Sequence, residues 1–293
     1  MAAFADESAD AEKLAFANEL DFADDATFAD EPDFADESTP IAESLPKNAL
    51  FDLENVPPPP RQNAAGTLWG LAAGITFDTR IITIGDSYLL GYAPESMQTS
   101  WGEFLGVLTA SQVLIRAQAD AGFVRAGNRG GTFVDVAKAA QSVAREADII
   151  IVGGGINDCL VNSSSERMEA AGYALGCVIA EGWPNAEVYV FAPLWVSDAR
   201  LAFDDADAER IAALAAGLER AQEELAGEEG DDSGAGSGAG TFHIITDCRT
   251  WLLDTADEGI ASRDGIHPFT AGHRIIAERM LLAIAETRAE GVD

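Results

Sequence analysis

The chain has 293 residues, enough for one large domain or two small ones, and its 47% hydrophobic content is ample for a core. Its 50 acidic residues against 18 basic ones leave a formal net charge of -32, which argues against nucleic acid or an anionic membrane surface as partner. Cys159, Cys177 and Cys248 are odd in number, widely spaced and without a CxxC, so small buried thiols are expected in place of a disulfide framework or zinc site.

Residues 1–62 read as a disordered acidic tail. A unit resembling Phe-Ala-Asp-Glu recurs at Phe4, Phe16, Phe22, Phe28 and Phe34, the last four at a six-residue step that matches neither helix nor strand. Acid-rich sequence with sparse apolar residues buries too little surface to offset the entropy of ordering. Pro57 to Pro60 forms a stiff spacer before the folded part. The tail is either a solvating segment or a carrier of phenylalanines that dock on a protein partner. Its start, Met1-Ala-Ala-Phe-Ala-Asp-Glu, lacks the basic and apolar regions of a signal peptide, and the apolar stretch Ala64 to Phe77 is too short to span a bilayer. A cytoplasmic location is expected.

From residue 63 to 293 one α/β domain is predicted. Apolar runs at Ile81–Ile84, Val113–Ile115, Ile149–Val152, Val188–Phe191 and Phe242–Ile245 read as short strands. Helical patterns lie between them at Trp101–Leu108, Phe133–Arg145, Ser165–Glu181 and Ala206–Leu225, with a last helix carrying Ile275, Ile276, Met280, Leu281 and Ile284. Ser163 and Glu166 are placed to form a capping box for the third of these. Repeated β-α-β units predict a mostly parallel sheet covered on both faces. The Gly/Ser-rich stretch 227–240 reads as a surface-loop insertion.

Four blocks carry chemistry. Ile84-Gly85-Asp86-Ser87 ends the first strand in a tight turn that exposes a hydroxyl at the sheet edge where open α/β folds handle ligands. Ala119-Asp120-Ala121-Gly122 follows the second strand, and Gly122 can offer a backbone N–H there. Gly127, Gly130 and Gly131 are rivals for that role. Gly153-Gly154-Gly155-Ile156-Asn157 follows the third strand and presents an amide suited to an oxyanion hole. A dinucleotide fingerprint is the competing reading of these glycines. It is disfavoured because Asp158 stands where the third glycine belongs and the helix is expected only near Ser163. Asp264-Gly265-Ile266-His267-Pro268 makes a loop in which Asp264 can reach Nδ1 of His267 and leave Nε2 free as a base. Gly-x-Ser-x-Gly is absent, because Leu89 occupies the last position, so a nucleophile elbow of the α/β-hydrolase kind is disfavoured.

Gly-Asp-Ser, a glycine, Gly-x-Asn and Asp-x-x-His in this order resemble the SGNH/GDSL hydrolases over residues 78 to 290. The resemblance implies a flavodoxin-like three-layer α/β/α sandwich on a five-stranded sheet of order 2-1-3-4-5. It implies Ser87 as nucleophile, His267 as base and Asp264 as its orienting partner, with the Ser87 N–H, the Gly122 N–H and the Asn157 side chain as oxyanion hole. It implies neither metal nor cofactor. Tyr88 and Trp195 are candidates for the substrate pocket, as is Trp101. The expected activity is that of a serine esterase on short-acyl esters, O-acetylated sugars among them. A lipase or thioesterase of the same family, or an inactive α/β binding module, are the alternatives.

Overall fold

The computed structural model describes residues 68–194, 204–227, 241–252, 260–262 and 264–291. The acidic tail, Trp195 and the insertion from residue 228 onward lie outside the described residues.

Runs of β-branched residues alternate with helical segments and set the architecture. The elements are α1 Leu68–Ala72, β1 Arg80–Gly85, α2 Trp101–Thr109, β2 Gln112–Ala117, α3 Phe133–Gln141, β3 Ile149–Gly153 and α4 Ile156–Leu160. They continue with α5 Ser165–Gly182, β4 Glu187–Phe191, α6 Asp205–Gly227, β5 Phe242–Ile245 and α7 Thr270–Glu290. The five strands form one parallel sheet in the order β2-β1-β3-β4-β5.

Side-chain alternation along the strands divides the core in two. Ile81, Ile149, Ile151, Tyr189 and Phe191 pack towards α2 and α7 with Trp101, Leu105, Ile276 and Met280. Ile82, Ile84, Ile150, Val152, Val188 and Val190 pack towards α3, α5 and α6 with Phe133, Met168, Leu175 and Leu214. A strand buried on both faces has no polar side, which explains why β3 reads as an unbroken apolar run. The result is a three-layer α/β/α sandwich.

The register aligns the strand ends. Gly85 of β1 lies opposite both Ala117 of β2 and Gly153 of β3, and Gly153 lies opposite Phe191 of β4. The Gly-Asp-Ser turn, the crossing after β2 and the glycines after β3 therefore leave the sheet along one edge.

Three local readings change. The cap of α5 is Ser164, whose side chain accepts from the Arg167 N–H at 3.3 Å, and not Ser163, which is buried with its carbonyl accepting from Arg210 Nε. A short helix, α4, begins at Ile156, well before the start expected near Ser163. Its five residues are too few for a periodic apolar pattern to declare itself. Cys159 and Cys248 are buried thiols as expected, but Cys177 is only half-buried. Among the described residues no helix is long and apolar enough to cross a membrane.

Candidate active site

β1 carries Asp86 and Ser87 out of the sheet into a tight turn. Leu90 N–H donates to Asp86 O at 3.2 Å, Gly91 N–H to Tyr88 O at 3.0 Å and Tyr92 N–H to Ser87 O at 3.0 Å. These bonds hold the Ser87 backbone in one place, so its Oγ has a fixed origin. Ser87 is 5% exposed.

The His267 loop meets it from the other end of the chain. Phe269 N–H donates to Ile260 O at 2.6 Å and Ser262 N–H to His267 O at 2.8 Å, pinning the loop into a hairpin-like turn before α7. Gly265 takes the left-handed conformation, with φ of 70°, that such a turn needs. Asp264 is the hub. Its Oδ1 accepts from Ser262 Oγ at 2.5 Å, Ile266 N–H at 2.8 Å and His267 N–H at 3.0 Å. Its Oδ2 lies 2.6 Å from His267 Nδ1. An ionised carboxylate only accepts, so Nδ1 carries the proton and Nε2 turns its lone pair to Ser87 Oγ, 3.0 Å away. Burial alone would raise the Asp264 pKa; the hydrogen bonds from Ser262, His267 and Ile266 outweigh it and hold the carboxyl well below the usual carboxylate range. Asp264 is therefore charged wherever the protein is folded near neutral pH.

The crossing after β2 is built differently. Gly122 N–H is engaged, donating to Arg125 O at 2.9 Å. The donor expected of Gly122 is thus spent inside its own turn. What requires glycine there is Asp158, whose carboxylate fills the space a Cβ would take. That carboxylate accepts from three consecutive backbone N–H groups, Phe123 at 2.8 Å, Val124 at 2.9 Å and Arg125 at 2.8 Å. Asp158, which argued against a pyrophosphate, is the anchor of this loop. The rivals Gly127 and Gly130 are engaged too, donating to Gly131 O and Gly127 O at 2.8 Å each. Asp120 is not. It sits at φ 63°, and among the described residues its N–H has no hydrogen-bond acceptor.

Asn157 stands at the second residue of α4, where Gly155 at φ 104° swings the chain out of β3. Its Nδ2 donates to Ala121 O at 2.9 Å and approaches Asp86 Oδ2 at 3.4 Å. The amide therefore joins the crossing after β2 to the residue preceding Ser87. Asp86 is fully buried, with Tyr88 N–H on its Oδ1 at 2.9 Å. Burial pushes its pKa up to about 7, against the lowering effect of that N–H and helped by the charge of Asp158.

Two pocket assignments are corrected. Tyr88 is buried, its hydroxyl donating to Ile266 O and its ring set edge-on against His267 at 5.8 Å. It supports the imidazole from within. Trp101 is likewise buried, against the Gly153 end of β3. The residue not anticipated is Tyr92, whose ring lies 4.8 Å from that of His267 and is 44% exposed. Tyrosine five residues after Ser87, across a turn, carries no sequence signal for that contact. His273 is buried behind Tyr88, 6.4 Å ring to ring, with neither nitrogen bonded among the described residues; burial, then the His267 charge, push its pKa down to about 3.

Solved structures share this fold. A carbohydrate esterase family 2 enzyme with a carbohydrate-binding domain from Corynascus thermopiles (Myceliophthora fergusii) superposes with a TM-score of 0.51 at 15% identity, over 73% of this chain and 68% of that one. An acetyl xylan esterase from the rumen bacterium Butyrivibrio proteoclasticus gives 0.50 at 14% identity, over 73% of this chain and 65% of that one. No curated protein matches the chain. The model of the GDSL-like lipase/acylhydrolase family matches residues 83–275, well over half of the sequence and the whole stretch from β1 into α7. The chain belongs to that family, and it is an ester-hydrolysing enzyme of the SGNH fold.

Proposed function

We propose that the protein is a serine esterase working through an acyl-enzyme on Ser87. The observation that carries this reading is the relay Ser87 Oγ–His267 Nε2 at 3.0 Å and His267 Nδ1–Asp264 Oδ2 at 2.6 Å. His267 takes the hydroxyl proton as Ser87 Oγ attacks the ester carbonyl, and Asp264 balances the imidazolium charge. The tetrahedral intermediate collapses as His267 returns the proton to the leaving alkoxide. Water, deprotonated by the same imidazole, then attacks the acyl-enzyme, releasing the acid and restoring Ser87. No step needs a metal or cofactor.

The oxyanion is held by the Ser87 N–H and by the Asn157 Nδ2 hydrogen that, without substrate, makes only the long 3.4 Å approach to Asp86 Oδ2. For the third donor we favour the Asp120 N–H over the Gly122 N–H. Gly122 donates within its turn, whereas Asp120 has a left-handed backbone and an unengaged N–H at the strand end. On this reading Asn157→Ala lowers kcat by about 10²–10³-fold and changes KM little.

For substrate we favour short-acyl esters of carbohydrates. The names of two enzymes sharing the fold, a carbohydrate esterase and an acetyl xylan esterase, support this class. The test pairs a fluorophosphonate label, expected on Ser87 and absent from Ser87→Ala, with rates on p-nitrophenyl acetate, butyrate and octanoate and on acetylated xylo-oligosaccharides. Acetate faster than octanoate, and release of acetate from the oligosaccharide, are expected. Faster octanoate turnover would move the reading to a lipase or thioesterase. Neither label nor turnover would leave a binding module.

A further inference from the structure

We propose that Tyr92 is the wall against which the alcohol half of the ester lies, so that the enzyme favours leaving groups that are rings, a pyranose or an arene, over small acyclic alcohols. This rests on the serine-esterase reading and deepens it.

The argument starts from where the leaving oxygen has to be. His267 Nε2 returns a proton to it, so that oxygen comes within hydrogen-bond reach, about 3 Å, of Nε2 when the intermediate collapses. Whatever is bonded to the oxygen then lies beside the imidazole. Among the described residues, two aromatic rings adjoin that imidazole. Tyr88 is fully buried, with its hydroxyl committed to Ile266 O, and has no surface left for a substrate. Tyr92 is 4.8 Å away at an interplanar angle of 78° and keeps 44% of its surface exposed. Aromatic faces take other rings by offset stacking or by edge contacts, worth about 0.5–1.5 kcal/mol beyond the area buried.

Tyr92 is also held in place, as a specificity residue has to be. Its N–H is bonded to Ser87 O at 3.0 Å, which ties it to the nucleophile. The next turn of chain is tied to the histidine side. Gln98 N–H donates to Gly91 O at 2.6 Å, and Gln98 Oε1 accepts from Thr270 N–H at 3.1 Å and Thr270 Oγ1 at 2.9 Å, at the first residue of α7. Gly91, at φ 69°, permits the crossing, and a Cβ there would strike the Gln98 carbonyl. Nucleophile, Tyr92 and the His267 loop thus share one bonded frame.

The test compares wild type, Tyr92→Ala, Tyr92→Leu and Tyr92→Phe on three acetates: p-nitrophenyl acetate, a peracetylated methyl xyloside and ethyl acetate. For both ring esters Tyr92→Ala is expected to lose about tenfold in kcat/KM, mostly through KM, as stacking energies of this size imply. Tyr92→Leu loses nearly as much, Tyr92→Phe little, and ethyl acetate changes less than about twofold in all three. Fluorophosphonate, whose leaving group is fluoride, should label every variant at the wild-type rate. Equal losses on ring and acyclic esters, or slowed labelling, would make Tyr92 a support for His267 and overturn the inference. So would unchanged ring-ester kinetics. A wild type that neither labels nor hydrolyses would instead overturn the serine-esterase reading, and this inference with it.

Discussion

The turn after β1 and the crossing after β2 converge on the same serine by opposite means. On the first side, with the His267 loop that meets it, side chains do the chemistry in the mechanism we propose, and the backbone serves to hold them. Asp264 there keeps partial contact with solvent, accepts hydrogen bonds on both oxygens and is pushed down in pKa. On the second side, the donor we propose belongs to the backbone, and a side chain holds the loop. Asp158 is buried, gathers three N–H groups onto its carboxylate and is pushed up in pKa by that burial. Two aspartates of the same chain thus differ: on the proposed mechanism one balances a positive charge that comes and goes, while the other replaces water around a loop. An acidic residue near a nucleophile declares its task by its environment, not its type.

The largest effect belongs to the side-chain half. Ser87→Ala and His267→Ala should each remove about 10⁴–10⁶ of kcat, and the double variant should be little worse, because either loss abolishes the same proton transfer. Losses that multiply would break the account of that side.

The backbone half is sharpened by stability. Gly122→Ala should cost about 2 kcal/mol, roughly 4–8 °C in Tm, because its Cβ meets the Asp158 carboxylate. Asp158→Ala should cost about 3 kcal/mol or more, since three backbone donors lose their acceptor. The two costs should not add, as Gly122→Ala has nothing to strike once the carboxylate is gone. Additive losses would mean that Gly122 is a glycine for another reason.

The last effect, visible only as pH is varied, concerns Asp86, where the two sides meet. Its carboxyl is raised from 3.8 to about 7 in the folded protein, so the unfolded chain gives up the proton first. Its contribution to stability is whole below about pH 4 and drains away as pH rises towards 7. The Tm of Asp86→Asn should therefore gain on that of wild type by about 10 °C across this interval, and stay level above it. A difference that is flat with pH would mean that Asp86 ionises as freely folded as unfolded.

The same contrast explains what could be read in the sequence. The parallel sheet and its two covering layers followed from alternating apolar runs, because a sheet covered on both faces leaves no other home for them, whereas the strand order was legible only through the family resemblance. Ser87, His267 and Asp264 stood out because hydroxyl, imidazole and carboxylate are chemically specific, and turn residues flank each one. Gly122 misled because a glycine reports only that space is short. Here the space is taken by a carboxylate 36 positions later, and no local pattern records it. Tyr88 misled by adjacency. The turn after Ser87 sends the next side chain inward and brings Tyr92 out beside the histidine, a geometry set by three backbone hydrogen bonds that leave no trace in residue type.

The bond between Ser87 and His267 closes a loop of 180 residues. Contacts of such separation carry a large closure entropy and form late when a chain folds. The β1–β3 core, with its strands pairing over shorter spans, can assemble before the final helix arrives. Hydrolysis is therefore a timer for the end of folding. After dilution from denaturant, secondary structure should return first and turnover last, and the lag between them measures the docking of α7 on a sheet that is already made.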